Sequence, residues 1–189
     1  MKTLAASSSR SLVDEGGPAF VRASVAFKNF AEEATELRRM VNRYTGDLAL
    51  KEKTLSILHD AGAASRHEYD QALAIGEWVQ KNIYYVHEGR ETFQRPATTL
   101  RLAAGDCDDF ALLICSMLGT IGIREKLCVL KINGRWAHIF AVAVVKQDGE
   151  AHRLTLDATL ELPAYPIRDL VNPIALVSAR GDKVEPLFV

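Results

Sequence analysis

Gly105-Asp106-Cys107-Asp108-Asp109-Phe110-Ala111 is the stretch on which the reading of this chain turns. A polar loop becomes an uncharged, apolar run from Phe110 to Ile123, and Asp106 has the residue type and position of an N-cap. Cys107 then falls in the first turn of a buried helix. Backbone N–H groups and the helix dipole favour an anion there, and so favour the thiolate, the nucleophilic form of cysteine. Asp106, Asp108 and Asp109 oppose it by like-charge repulsion, so a cationic partner is needed to tip the balance.

The partner follows from strand arithmetic downstream. Lys126–Ile132 and Arg135–Val145 are β-rich and flank Asn133-Gly134, the strongest short hairpin signal a sequence offers. A second turn at Asp148-Gly149 leads into Arg153–Asp157, which makes an antiparallel meander of three strands. If that loop is symmetric, Phe140 lies opposite Asp157, and His138, two residues from Phe140, shares its face. His138 and Asp157 become diagonal neighbours about 7–8 Å apart at Cα, close enough for a carboxylate to orient an imidazole. If their face meets the head of the Cys107 helix, the three residues have the types and chain order of a nucleophile, a base and an orienting acid.

Upstream the pattern is helical. Phe30, Ala34, Leu37, Val41 and Tyr44 recur at helical spacing and end near Gly46. A second helix is expected from Asp47 to His59, closed by Gly62. A third is expected from the box Ser65-x-x-Glu68, with Tyr69, Ala72, Gly76, Val79 and Ile83 on one face. Phe20–Phe27 alternates loosely, as a short strand or a lead into the first helix. Pro163, Pro166 and Pro173 break the tail into loops, with Ile174–Val177 and Val184–Val189 able to form a last hairpin. No internal repeat is visible. Helices followed by strands predict an α+β fold with N-terminal helices packed on the antiparallel meander.

Composition sets the outer bounds. In 189 residues, 48% are hydrophobic and 25% charged, an ordinary globular balance. Lys plus Arg (23) against Asp plus Glu (24) leaves a net charge of −1, which removes the field that nonspecific nucleic-acid and polybasic membrane binders use. The longest uncharged run falls short of the roughly 20 residues of a bilayer span, and Met1 to Ser9 lacks the apolar core of a signal peptide. A reducing cytoplasm is the expected compartment, with no nucleic acid or membrane partner. Three cysteines, Cys107, Cys115 and Cys128, form neither a disulfide framework nor a zinc motif.

Against this background the chain resembles the transglutaminase-like superfamily of papain-like cysteine enzymes. The matching stretches are Pro96 to Leu100 (PATTL), Gly105 to Ala111, Gly122-Ile123, Trp136 to Phe140 (WAHIF) and Leu156 to Thr159 (LDAT), with Trp78 to Tyr84 (WVQKNIY) upstream. The branch is similar to small phage- and prophage-encoded members. The resemblance implies Cys107 as nucleophile, His138 as base and Asp157 as orienting acid; no cofactor and no metal are expected. Gln94, Trp78 and the Cys107 backbone N–H are candidates for the oxyanion donor. Ala158 and Ile139 stand where the family often has Pro after the Asp and an aromatic after the His. The expected organisation is a flexible arm (1–18), a helical region (19–66), the transglutaminase-like core (67–162) and a Pro-containing extension (163–189).

The activity so implied is acyl transfer from a peptide or protein amide through a Cys107 thioester, with water as acceptor. The alternatives are a cross-linking or deamidating transferase with the same residues, and a binding or virion component with this fold and no turnover. The remaining motifs have plainer readings. Cys115 and Cys128 are expected in the core, and His59, His67, His87 and His152 on the surface. Asp106, Asp108 and Asp109 lack the alternation and trailing Glu of a calcium loop. Arg180-Gly181-Asp182 reads as a turn, and Trp136 as either groove wall or core.

Overall fold

The computed structural model describes residues 20–22, 30–87, 92–147, 149–159 and 184–189. In chain order its elements are β1 (Phe20–Arg22), α1 (Phe30–Tyr44), α2 (Leu48–Asp60), α3 (Glu68–Asn82), β2 (Tyr84–Tyr85), β3 (Thr92–Gln94), α4 (Pro96–Leu102), β4 (Ala104–Gly105), α5 (Cys107–Thr120), β5 (Arg124–Ile132), β6 (Arg135–Gln147), β7 (Glu150–Leu156) and β8 (Val184–Phe188). The arm 1–18, the prolines at 163, 166 and 173, the segment 174–177 and Arg180-Gly181-Asp182 lie outside the described residues.

Helix α5 is the centre of the core because its sequence offers no polar face. Residues 108 to 118 are all buried, and Phe110, Leu112, Leu113, Ile114, Met117 and Leu118 are essentially inaccessible. Such a helix must be covered on all sides. Helices α1, α2 and α3 cover part of it with Ala34, Leu37, Val41, Leu50, Ile57, Ala72, Ile75 and Val79. The sheet, in the order β7-β6-β5-β8, covers the rest. Strand alternation divides that sheet into two faces. Leu127, Val129, Ile139, Ala141, Ala143 and Val145 join the α5 core, whereas Cys128, Leu130, Phe140 and Val142 form a second, smaller cluster with Ile132 and Phe188. The fold is therefore α+β, with N-terminal helices on an antiparallel sheet, as the sequence predicts.

Both hairpins of the meander form. Asn133 (φ 49°) and Gly134 (φ 81°) take the two left-handed conformations that a type I′ turn needs. The register of β6 with β7 runs from Gln147 opposite Glu150 to Ala141 opposite Leu156, so Phe140 and Asp157 come next. This is the pairing of a symmetric loop. Between β5 and β6 the register shifts, with Leu130 opposite His138 but Lys131 opposite Trp136, leaving Ala137 as the extra residue of a bulge. Strand β8 adds antiparallel to β5, placing Pro186 on an outer strand where its missing N–H does not interrupt a central ladder.

Two local expectations change. The Ser65-x-x-Glu68 box does not form: α3 starts at Glu68 with His67 as N-cap and no side-chain cap bond. Glu68 instead accepts from the Lys146 backbone N–H (2.8 Å), tying α3 to β6. Tyr69 is half-exposed, and Ile75 completes the buried face of α3 with Ala72, Gly76 and Val79. Helix α2 starts at Leu48, with Asp47 as its N-cap accepting from Leu50 N–H at 2.8 Å. Arg38 on α1 reaches the Glu125 carboxylate with one nitrogen (2.9 and 2.7 Å) and the Val189 carbonyl with the other (2.8 Å), clasping helix, sheet and chain end. No helix among the described residues is long and apolar enough to cross a membrane.

The contact between α5 and the α1–α2 turn gives a stability test. A Cβ on Gly119 would collide with Thr45 Cγ2. Gly119→Ala should therefore lose about 1–3 kcal/mol, as overpacking does. Adding Thr45→Ser removes the colliding methyl and keeps the hydroxyl that donates to the Asn42 carbonyl, so the double variant should recover most of the loss. Urea melts of the two variants decide it, and absence of recovery would place the strain elsewhere.

Candidate active site

The site is built on the start of α5. Asp106 has extended backbone angles (φ −107°, ψ −162°), as an N-cap does, and forms a capping box with Asp109. Asp109 Oδ2 accepts from Asp106 N–H (3.3 Å), and Oδ1 accepts from Gln94 N–H at 2.7 Å. One carboxylate, only 1% exposed, thus joins the Cys107 turn to β3. Gly105 makes room for it, because a Cβ there would stand 2.7 Å from Asp109 Cβ and 2.8 Å from Oδ2. The aspartate run is largely accounted for by this construction. Carboxylate oxygens of Asp106, Asp108 and Asp109 do lie within 4.8 Å of one another, but both oxygens of Asp109 already accept backbone N–H bonds. Cys107 itself is the first helical residue and half-buried.

His138 and Asp157 meet as the strand register requires. His138 Nε2 and Asp157 Oδ2 are 2.7 Å apart, and Asp157 Oδ1 accepts from the Thr159 hydroxyl (2.7 Å) and N–H (3.2 Å). Burial alone would push the Asp157 carboxyl up, but the His138 hydrogen bond and charge, with the two Thr159 bonds, bring it below its ordinary value. Asp157 is an anion held against an imidazole, and the bond at Nε2 leaves Nδ1 as the ring nitrogen for other chemistry. The His138 ring lies 5.9 Å from that of Phe140, so the pair sits on the strand face that alternates with the one covered by the body of α5. From the sequence, that face is expected to pack on the head of α5. The structure assigns the body of the helix to the other face.

Tyr85 connects the two halves of the site. Strand β2 runs parallel to β4, with Tyr85 opposite Gly105, and the Tyr85 ring meets Phe110 edge-on at 6.1 Å and 84°. Burial, then the charges of Cys107, Asp106, Asp108 and Asp157, raise its phenol above the usual value, so Cys107 and Asp157 share an electrostatic neighbourhood around one hydroxyl. Sequence reasoning passes over Tyr85. A two-residue parallel strand has no periodicity, and the available signal is the aromatic pair Tyr84-Tyr85 after a helix end. Gln94 is buried and held by its backbone beside α5. The Trp78 ring lies 4.5 Å from Lys53 Nζ, which places it toward α2.

The other two thiols are inert by environment. Cys115 is fully buried and its thiol is raised well above the ordinary value, first by burial and then by Glu125. Burial lifts Cys128 to about 12 despite Arg153. Brief alkylation with iodoacetamide near neutral pH should accordingly modify Cys107 at least about tenfold faster than either, since only the thiolate reacts. Peptide mapping checks this, and equal labelling of all three would remove the case for Cys107.

Residues 57–152 match the transglutaminase-like superfamily in its core region. Among solved structures, the chain is similar to a proposed cysteine protease from Cytophaga hutchinsonii, with 20% identity, a TM-score of 0.50 and 82% of this chain covered. It is also similar to a proposed protease from Parabacteroides distasonis, with 18% identity, a TM-score of 0.54 and again 82% covered. The aligned region spans 53% and 30% of those two proteins, so the likeness concerns the fold. No curated protein matches the chain in sequence. With the match extending over half of its length and taking in both Cys107 and His138, this chain belongs to the transglutaminase-like superfamily.

Proposed function

We propose that this protein is a cysteine-dependent hydrolase that cleaves a peptide or side-chain amide through a thioester on Cys107. The observation that carries the reading is the 2.7 Å His138–Asp157 bond in a chain whose one partly exposed thiol starts a helix. The Cys107 sulfur attacks the amide carbonyl carbon, and its proton passes to His138 Nδ1. Asp157 fixes the ring and offsets the imidazolium charge without taking the proton itself. The developing oxyanion is stabilised by backbone N–H groups of the first turn of α5 and by the Gln94 carboxamide. As the C–N bond breaks, the imidazolium returns its proton to the leaving amine. Water then attacks the thioester, giving its proton to His138, and the acid and the thiol are released.

The acceptor separates a hydrolase from a transferase, because an amine can take the place of water at the thioester. Parent protein and Cys107→Ala would each be incubated with a broad peptide mixture and a labelled primary amine. Mass spectrometry would read new termini, deamidated glutamine and amine adducts. New termini or deamidation dependent on Cys107, with adducts in the minority, support the proposal. Predominant adducts would make the protein a transferase. No Cys107-dependent product of any kind would favour a binding component with this fold.

A further inference from the structure

Strand β2 pairs on one side only among the described residues. Tyr84 N–H donates to the Ala103 carbonyl (2.8 Å) and Val86 N–H to the Gly105 carbonyl (2.9 Å). Backbone groups alternate sides along a strand, so the N–H and C=O of Tyr85, between these two, point away from β4. Among the described residues the sheet ends there: β2 and β4 form a two-stranded sheet. The edge is also apolar and open, with Tyr84 78%, Tyr85 45% and Val86 47% exposed. Native proteins usually blunt such an edge with Lys, Pro or a bulge, and none of these occurs at Tyr84-Tyr85-Val86. An edge left in this condition is a template for strand addition.

Its position gives the occupant. Strand β4 ends at Gly105, two residues before Cys107, and the Tyr85 ring leans on Phe110 in the first turn of α5. A chain laid along the outer edge of β2 is separated by that strand alone from β4, which leads into the proposed nucleophile.

We propose that an extended polypeptide adds as a strand to the outer edge of β2, exchanging main-chain hydrogen bonds with Tyr85, and so brings its acyl carbonyl to Cys107. The substrate class is then an unfolded or loop segment of polypeptide, not a small free amide. Recognition resides mainly in the backbone, with apolar side chains preferred beside Tyr84 and Val86. This inference rests on Cys107 as nucleophile.

Backbone recognition can be separated from side-chain recognition by alkylation. The probes are acetyl-Ala-Val-Ala-Ala chloromethyl ketone, the same peptide N-methylated at one residue at a time, and iodoacetamide. Each rate at Cys107 is divided by that with free cysteine. The peptide probe should exceed iodoacetamide by more than about tenfold, the factor corresponding to one good hydrogen bond. One N-methyl group, or two at alternate residues, should remove that advantage while the intervening one leaves it. In the protein, Tyr85→Pro deletes the outward N–H and should lower the peptide-to-iodoacetamide ratio more than Tyr85→Ala, which keeps it. If no N-methyl position matters, the edge does not bind backbone and the proposal fails, whether or not Tyr85→Pro folds. If Cys107 takes neither reagent, the nucleophile reading fails and this proposal with it.

Discussion

Cys107→Ala and His138→Ala should each lower amide turnover by at least about ten-thousandfold, whereas Asp157→Asn should retain a residual rate about a hundredfold to ten-thousandfold below the parent. The difference follows from the geometry. In the proposed mechanism the thiol forms the covalent bond and the imidazole carries the proton, so removing either removes a step. Asp157 acts through the ring it holds at 2.7 Å, and an Asn amide can still hydrogen-bond while losing the charge that stabilises the imidazolium. Replacing both His138 and Asp157 should cost little more than replacing His138, because an orienting group is worthless without the ring. An Asp157→Asn variant working at the parent rate would reduce the pair to a structural strand contact.

The same bond makes a statement about acid. Because the Asp157 carboxyl lies below its ordinary value in the fold, its ionised form stabilises the native state. That contribution is complete above the unfolded value of about 3.9 and is lost as the pH falls through the lower, folded one. Below pH 4 the parent should therefore lose stability more steeply than Asp157→Asn, which has no carboxyl to protonate. Thermal melts across that range read it directly.

How far the sequence carries this architecture depends on the range of the interactions. Local chemistry is legible: Asn133-Gly134 dictates a type I′ turn, a symmetric Asp148-Gly149 loop carries Asp157 opposite Phe140, and the uncharged run of α5 from Phe110 onward has nowhere to go but the core. What fails is where a residue suited to a local role has a distant partner. Glu68 is spaced to close a capping box with Ser65, yet its carboxylate meets the Lys146 N–H, a tertiary bond that no local rule anticipates. Tyr69 falls on the helical stripe but turns outward while Ile75 goes in. Asp109 looks like one more acid in a run, and only the fold shows its two oxygens holding Gln94 and Asp106. Tyr85 is missed for a similar reason, since its importance comes from a pairing with Gly105 across the gap between two short strands.

Asp109 makes the last prediction, a large effect from one added methyl group. Gly105 does not need a positive φ, as it is absent from the left-handed positions, so the requirement is for space alone. In Gly105→Ala the new Cβ would lie 2.7 Å from Asp109 Cβ and 2.8 Å from Oδ2. Two relaxations are available. Asp109 can swing away, stranding the buried N–H groups of Gln94 and Asp106 at about 1–3 kcal/mol each, or β4 can move out and take the adjoining Cys107 turn with it. The second displaces the proposed nucleophile, and a shift of about 1 Å costs roughly a hundredfold in rate. Gly105→Ala should therefore lower turnover and Cys107 alkylation together, with about 2–4 kcal/mol of lost stability. Gly46→Ala is the control, because a Cβ at Gly46 meets nothing within 4 Å; its stability should stay within about 0.5 kcal/mol of the parent. If Gly105→Ala matches that control in both stability and thiol reactivity, the Asp109 carboxylate is not what places Cys107, and the helix dipole and core packing alone would have to do so.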